Sequence, residues 1–264
     1  MNGIPQNRRK ISLRLNRKGA LIEETYAAFQ SWDLGKSFTA NLASLREANV
    51  FGARNQGWLK EILATLSSRF NGQSGITPLI TLAKGNIPLE QWKPCLLWHV
   101  AAIDELYYRF ALEWLYPAVQ NDAYQIRTGD VVPFVTELTS GHIASGGSLS
   151  EYGTLRAARD LLKMAADFGL LTGSATRRFT THHLPLESCL YILHALAEQE
   201  PNPRKMIDAP EWRLFLMTPG QVERELMELH QFQHVNFEMA GSLVQLQLPY
   251  RSLQEYAERL TNHE

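Results

Sequence analysis

Histidines and carboxylates are the residues of this 264-residue sequence most able to do chemistry, and their spacing argues against it. His182 and His183 adjoin in a short β-compatible run. Imidazoles are common metal ligands, but no third Cys, His or carboxylate stands at ligand spacing. His230 and His234 are four apart, yet the helix that carries His230 is expected to end between them, so both read as surface residues. Asp104, Glu105 and Glu113 could be paired as general acid and base. Glu105, Arg109 and Glu113, however, follow one another at four-residue intervals on one helix, where opposite charges bridge. No Walker loop, GxGxxG, HExxH or GxSxG occurs. The expectation is a protein that is not an enzyme and needs no metal or cofactor.

The cations are more informative. Arg8, Arg9, Lys10, Arg14, Arg17 and Lys18 give the first 20 residues a charge of +6 with no acid before Glu23, so the remainder sums to −7 against −1 overall. Such an arm either attracts anionic partners at long range or is simply solvated. A second cluster, Thr154, Arg156, Arg159 and Lys163, lies on a predicted helix that ends at Gly169 and leads into a strand bearing Arg177 and Arg178. This order resembles the recognition helix and wing of a winged helix-turn-helix. A helix fits the major groove, its cations meet phosphates or guanine edges, and an arginine-bearing wing can follow the adjacent backbone. The alternative is a helix and connecting hairpin with solvated charges. A second helix, after Thr218-Pro219-Gly220, has the same element order but sets Glu223, Glu225 and Glu228 against Arg224, so phosphate would repel it.

The elements that must position these residues are mostly helical. Apolar residues recur at helical spacing through Ile22, Tyr26 and Phe29, through Phe38, Leu42 and Leu45, and through Trp58, Ile62, Leu66 and Phe70. Thr77 and Pro78 form an N-cap and first-position pair. A long aromatic helix follows, and Pro94 either kinks it or marks its start. Its aromatic residues Trp92, Trp98, Tyr107, Tyr108, Phe110, Trp114 and Tyr116 could stack bases, but aromatics in so apolar a helix are usually core. Another helix covers 131–138. Ser148 and Glu151 read as a capping box before a helix with Leu155, Ala158, Leu162 and Ala165 as its apolar stripe. Leu186, Leu190 and Leu193 mark the next helix, Trp212 to Met217 a short one, and Thr218, Pro219 and Gln221 cap the one after it. Alternation of Val235, Phe237 and Met239, then Val244, Leu246 and Leu248, predicts a β-hairpin, and Ser252 with Glu255 caps a last helix.

The fold class is therefore mainly α. Four assignments follow along the chain: a basic arm over 1–18, a helical bundle over 19–139, a linker over the glycine-rich 140–148, and a second helical domain with the hairpin over 149–264. The sequence is 45% hydrophobic and 20% charged, enough apolar matter for a packed core. Cys95 and Cys189, 94 positions apart, encode neither a disulfide framework nor a zinc site, and a cytoplasmic, reducing location is expected. The most apolar stretch, 95–116, contains His99, Asp104, Glu105, Arg109 and Glu113. Each ionised group would cost roughly 2.5–3.5 kcal/mol at a bilayer centre, so no membrane association is expected.

Several segments together resemble the BrxA family of BREX bacteriophage-defence systems. They are KGALIEE at 18–24 with Trp32, then 49–70, DELYYRFALEWLYP at 104–117, TLRAARDLLKMAADFGLLTG at 154–173, EWRLFLMTPGQVERELMEL at 211–229 and FEMAGSLVQL at 237–246, within a span of about 11–258. The resemblance implies an accessory protein encoded with a methyltransferase, an ATPase and a phosphatase-like protein. It implies helical domains, one likened to the antiterminator NusB, double-stranded-DNA binding, and no catalytic residues. Members have also been labelled inner-membrane proteins, which the charges in 95–116 oppose. The leading expectation is a non-enzymatic DNA-binding protein of such a system. The alternative is a protein-interaction adaptor that docks partners through Trp32, Trp58 or Trp212.

Overall fold

A computed structural model describes residues 11–13, 18–73, 75–140, 148–181, 183–241 and 243–262. The chain is mainly α-helical, with two small antiparallel sheets. Helices α1 (Ile22–Gln30), α2 (Phe38–Ala48) and α3 (Gln56–Phe70) lie where the apolar spacing predicts them. Ser37 caps α2 by accepting from the Ala40 amide (3.2 Å), and Asn55 caps α3 by accepting from Trp58 (2.7 Å). In α4 (Thr77–Lys84) the side chain of Thr77 does not cap; Thr77 is the first helical residue and Pro78 the second.

The aromatic segment is not one helix. It opens with α5 (Leu89–Ile103), which starts five residues before Pro94 and carries it buried in its interior. Asp104 then leaves helical geometry and, 1% exposed, caps α6 (Glu105–Arg109) by accepting from the Tyr107 amide at 3.0 Å. A π-helical turn over Phe110–Leu115 and α7 (Tyr116–Gln120) complete the segment. Trp92, Trp98, Tyr107 and Phe110 are buried, as expected of core aromatics. Trp92 makes T-shaped contacts with Tyr26 (centroids 5.1 Å) and Phe29 (6.2 Å) while donating its indole N–H to the Leu79 carbonyl (2.9 Å).

Strand β1 (Ile126–Arg127) and helix α8 (Thr128–Thr139) precede α9 (Glu151–Asp167), which packs along α8. Residues 141–147, most of the expected linker, lie outside the described residues. Ser150 caps α9 by accepting from Gly153 (3.1 Å), displacing the expected Ser148. After Gly169, at φ +80°, come β2 (Leu171–Thr172) and β3 (Thr176–Phe179), and the sheet order is β1-β3-β2. Gly173 makes the turn between them at φ +95°, and a Cβ there would lie 2.4 Å from the Thr176 carbonyl oxygen. Gly173→Ala should therefore cost about 1–3 kcal/mol. Gly129→Ala, where nothing among the described residues lies within 4 Å of the added carbon, should cost nothing measurable. Thermal unfolding compares the two, and equal midpoints would show that the turn yields freely.

The remaining helices are α10 (Leu186–Ala197), α11 (Pro203–Ile207), a 3₁₀ turn over Pro210–Phe215, and α12 (Pro219–Gln231) with the expected Thr218/Gln221 capping box. The predicted hairpin is β4 (Asn236–Ala240) and β5 (Leu243–Gln247), with Phe237 opposite Leu246, and α13 (Leu253–Thr261) follows its Ser252 cap. Contacts cross the sequence midpoint. His99 of α5 hydrogen-bonds the Tyr191 hydroxyl of α10 at 2.8 Å, and α13 lies on α4 so closely that a Cβ on Gly85 would fall 2.1 Å from the Thr261 methyl. Buried apolar residues from Ile11 to Ala257 accordingly form one continuous cluster.

Candidate nucleic-acid interface

Helix α9 sorts its residues by the 3.6-residue period. Ala157, Ala158, Leu161, Leu162, Met164 and Ala165 are buried, while Tyr152, Arg156, Arg159 and Lys163 share the outer face. Thr154 falls on the inner side: it is 5% exposed and its hydroxyl donates to the Ser150 carbonyl (3.1 Å), so it reaches no groove. Leu155, expected in the apolar stripe, is 37% exposed instead and belongs to the outer face. Of the cations, Arg156 lies 3.9 Å from Asp160 and Lys163 2.9 Å from Asp167, both at i,i+4, whereas Arg159 makes no ion pair among the described residues. Exposed pairs of this kind contribute well under about 1 kcal/mol, so a phosphate can displace either carboxylate.

The wing separates its two arginines by strand alternation. Ile126 opposes Arg177, and Leu171 opposes Phe179, on the inner face of the small sheet. Arg177 is thus 8% exposed, and its Nε has no hydrogen-bond partner among the described residues. Burial lowers its pKa, with Asp167 acting in the opposite sense. Arg178 points outward, and its guanidinium lies 4.7 Å above the ring centroid of Tyr124, itself 69% exposed. Arg127, opposite Thr176, shares that outer face and is exposed. Nothing local in the sequence marks Arg127, because its pairing partner lies some 50 residues away.

Five cations of the basic arm, Arg8, Arg9, Lys10, Arg14 and Arg17, lie outside the described residues. Lys18 is described and occupied: it lies 3.4 Å from Glu61 and 5.9 Å from the Trp58 ring centroid. The following backbone is fastened on two sides. Arg69 of α3, fully buried, donates to the carbonyls of Gly19 (2.6 Å) and Ala20 (2.5 Å). Asp167, at the C-terminal end of α9, accepts from the Ala20 amide at 2.9 Å and from Lys163 at the same distance. Gly19 has φ +76°, and a Cβ there would fall 2.1 Å from the Lys163 Nζ. Gly19 and Ala20, which follow the arm in the chain, are therefore anchored beside the end of α9. Desolvation lowers the Arg69 pKa to about 10, while Asp104, Asp167 and Glu24 support its charge, so the guanidinium stays ionised at neutral pH.

The other candidates separate in space or serve packing. Arg109 and Glu113 form the expected i,i+4 bridge, bidentate at 2.8 and 2.7 Å. Tyr108 is turned to Glu211 (3.3 Å), and Tyr116 lies under the Arg213 guanidinium (5.2 Å). His182 lies outside the described residues; His183 is exposed. Helix α12 ends at Gln231, between His230 and His234, and His230 Nδ1 accepts from the Phe237 amide (3.2 Å). Both line an open hollow of about 430 Å³ with Gln233, Asn236 and Gln247. Among the described residues no three His, Cys, Asp or Glu side chains converge as a metal site, and no helix is long and apolar enough to cross a membrane. Cys95 and Cys189 are buried free thiols.

No curated protein and no solved structure matches this chain. The model of one family, BrxA, matches residues 9–195, more than two thirds of the sequence and every element from α1 to α10 up to Ala195. The segments 211–229 and 237–246 lie beyond the matched stretch. On that match the chain belongs to the BrxA family, the BREX-associated bacteriophage-defence proteins.

Proposed function

We propose that the chain is a non-enzymatic protein that binds double-stranded DNA within a BREX defence system, with its β1–α8–α9–β2–β3 unit acting as a winged helix. The observation that carries this reading is the outer face of α9. It presents Arg156, Arg159 and Lys163 beside Gly19 and Ala20, the residues that follow the basic arm in the chain, with Asp167 holding both the Ala20 amide and Lys163. A three-stranded antiparallel sheet of order β1-β3-β2, whose strands flank the packed pair α8 and α9 in the chain, supports it, because that sheet sets the wing next to the helix end. Arg178 and Arg127 then supply backbone contacts. Trp32 (5% exposed) and Trp212 (1%) are buried, which leaves the adaptor alternative only Trp58 of its three aromatic anchors. Other BREX components, including the methyltransferase, the ATPase and the phosphatase-like protein, are the protein partners this reading expects.

Fluorescence anisotropy with a random-sequence duplex at two salt concentrations tests the proposal. Binding should weaken steeply as salt rises, since released counterions drive it. No salt-dependent binding at low ionic strength would replace this reading with the adaptor. The non-enzymatic part has its own measure: purified protein should neither hydrolyse nucleotides nor cut or methylate DNA. A turnover that survives repurification and vanishes on a single point substitution would overturn it.

A further inference from the structure

The outer face of α9 carries two residues that charge alone does not explain. Tyr152, at the second helical position, is 71% exposed, and Leu155, one turn on, is 37% exposed. They share a stripe with Arg156, Arg159 and Lys163, running about 16 Å at 1.5 Å per residue. The apolar pair occupies the N-terminal half of the stripe and Arg159, which makes no ion pair among the described residues, its middle. In helices that enter the major groove, the N-terminal residues reach the base edges. There, the C5-methyl of thymine is the one apolar group a base pair presents, and an aliphatic side chain covers it.

We infer that Leu155, flanked by Tyr152, is a specificity-determining residue that reads thymine methyl groups in the major groove. This rests on the DNA-binding reading above. Arg156 and Arg159 grip the backbone or guanine edges on either side, so the occupant of this apolar patch is duplex DNA and not an apolar protein surface. Covering one methyl group favours binding by about fourfold.

The test compares three 24-base-pair duplexes at one salt concentration: alternating A·T, the same sequence with deoxyuridine for thymine, and alternating G·C. Replacing thymine by deoxyuridine deletes the methyl and leaves every hydrogen-bonding edge in place. The wild-type protein should bind the thymine duplex at least about fourfold more tightly than the deoxyuridine duplex. Leu155→Ala, at a partly exposed position, should keep the wild-type melting temperature and the salt dependence but abolish that difference. Equal wild-type affinity for the thymine and deoxyuridine duplexes, with salt-dependent binding to both, would overturn the inference and leave DNA binding standing. A methyl preference that survives in Leu155→Ala would overturn the assignment to this residue. Absence of binding to all three duplexes would instead remove the reading beneath it.

Discussion

Replacing Arg69 with alanine should lower stability by about 3–5 kcal/mol, the cost of removing one partner from a buried charged network. Arg69 is fully buried in α3, where it donates to the Gly19 and Ala20 carbonyls at 2.6 and 2.5 Å. Removing it strands two buried carbonyls and withdraws the positive charge facing Asp104, which is itself 1% exposed. For a chain of this length the melting midpoint should fall by roughly 10 °C. Arg69→Lys should recover only part of the loss, because one ammonium cannot reproduce a planar fork that spans two carbonyls. The same lesion should weaken duplex binding at fixed salt, since it frees the Gly19–Ala20 backbone from α3, leaving the Asp167 bond as its tie to α9, without touching any outward-facing cation. A loss below about 1 kcal/mol in Arg69→Ala would show that other donors satisfy the Gly19 and Ala20 carbonyls.

Neutralising Arg8, Arg9, Lys10, Arg14 and Arg17 together, each to Gln, should flatten the dependence of log affinity on log salt by as much as about 4.5 units. Each phosphate-engaged cation contributes about 0.9. Charge removal is preferable to deleting residues 1–18. Ile11 is 2% exposed within the core, so truncation would also subtract packing, and Lys18 is already held by Glu61. Arg159→Ala should behave differently. It should remove about one unit of slope and, where the guanidinium meets a base edge, about 1–3 kcal/mol of discrimination between sequences. The two lesions separate backbone attraction from base readout. An unchanged slope in the five-fold variant would mean that the arm carries solvated charge only, and the phosphate contacts would then have to come from α9 and the wing.

Features written in contiguous residues were determined by the sequence by itself. Helices α1, α3 and α9, the Thr218/Gln221 box before α12 and the hairpin around Ala240-Gly241 follow from apolar spacing, capping chemistry and turn residues. Each depends on partners no more than a few positions away. The positive φ at Gly169 is local in the same way, because a helix end needs a residue free to turn left. Which side of α9 faces inward was not decided locally: Thr154 is buried and Leu155 exposed because α8 and the small sheet choose the face. Strand β3 shows the same limit, since Arg177 and Arg178 are chemically alike and only pairing with Ile126 and Thr172 turns one in and the other out. The break at Asp104, the fork of Arg69 and the juncture of Ala20 with Asp167 likewise join residues distant in sequence. Hydrogen bonds and close packing act over a few ångströms between groups that folding alone brings together. The tertiary structure therefore decided which cations face outward and what holds Gly19 and Ala20 beside the end of α9.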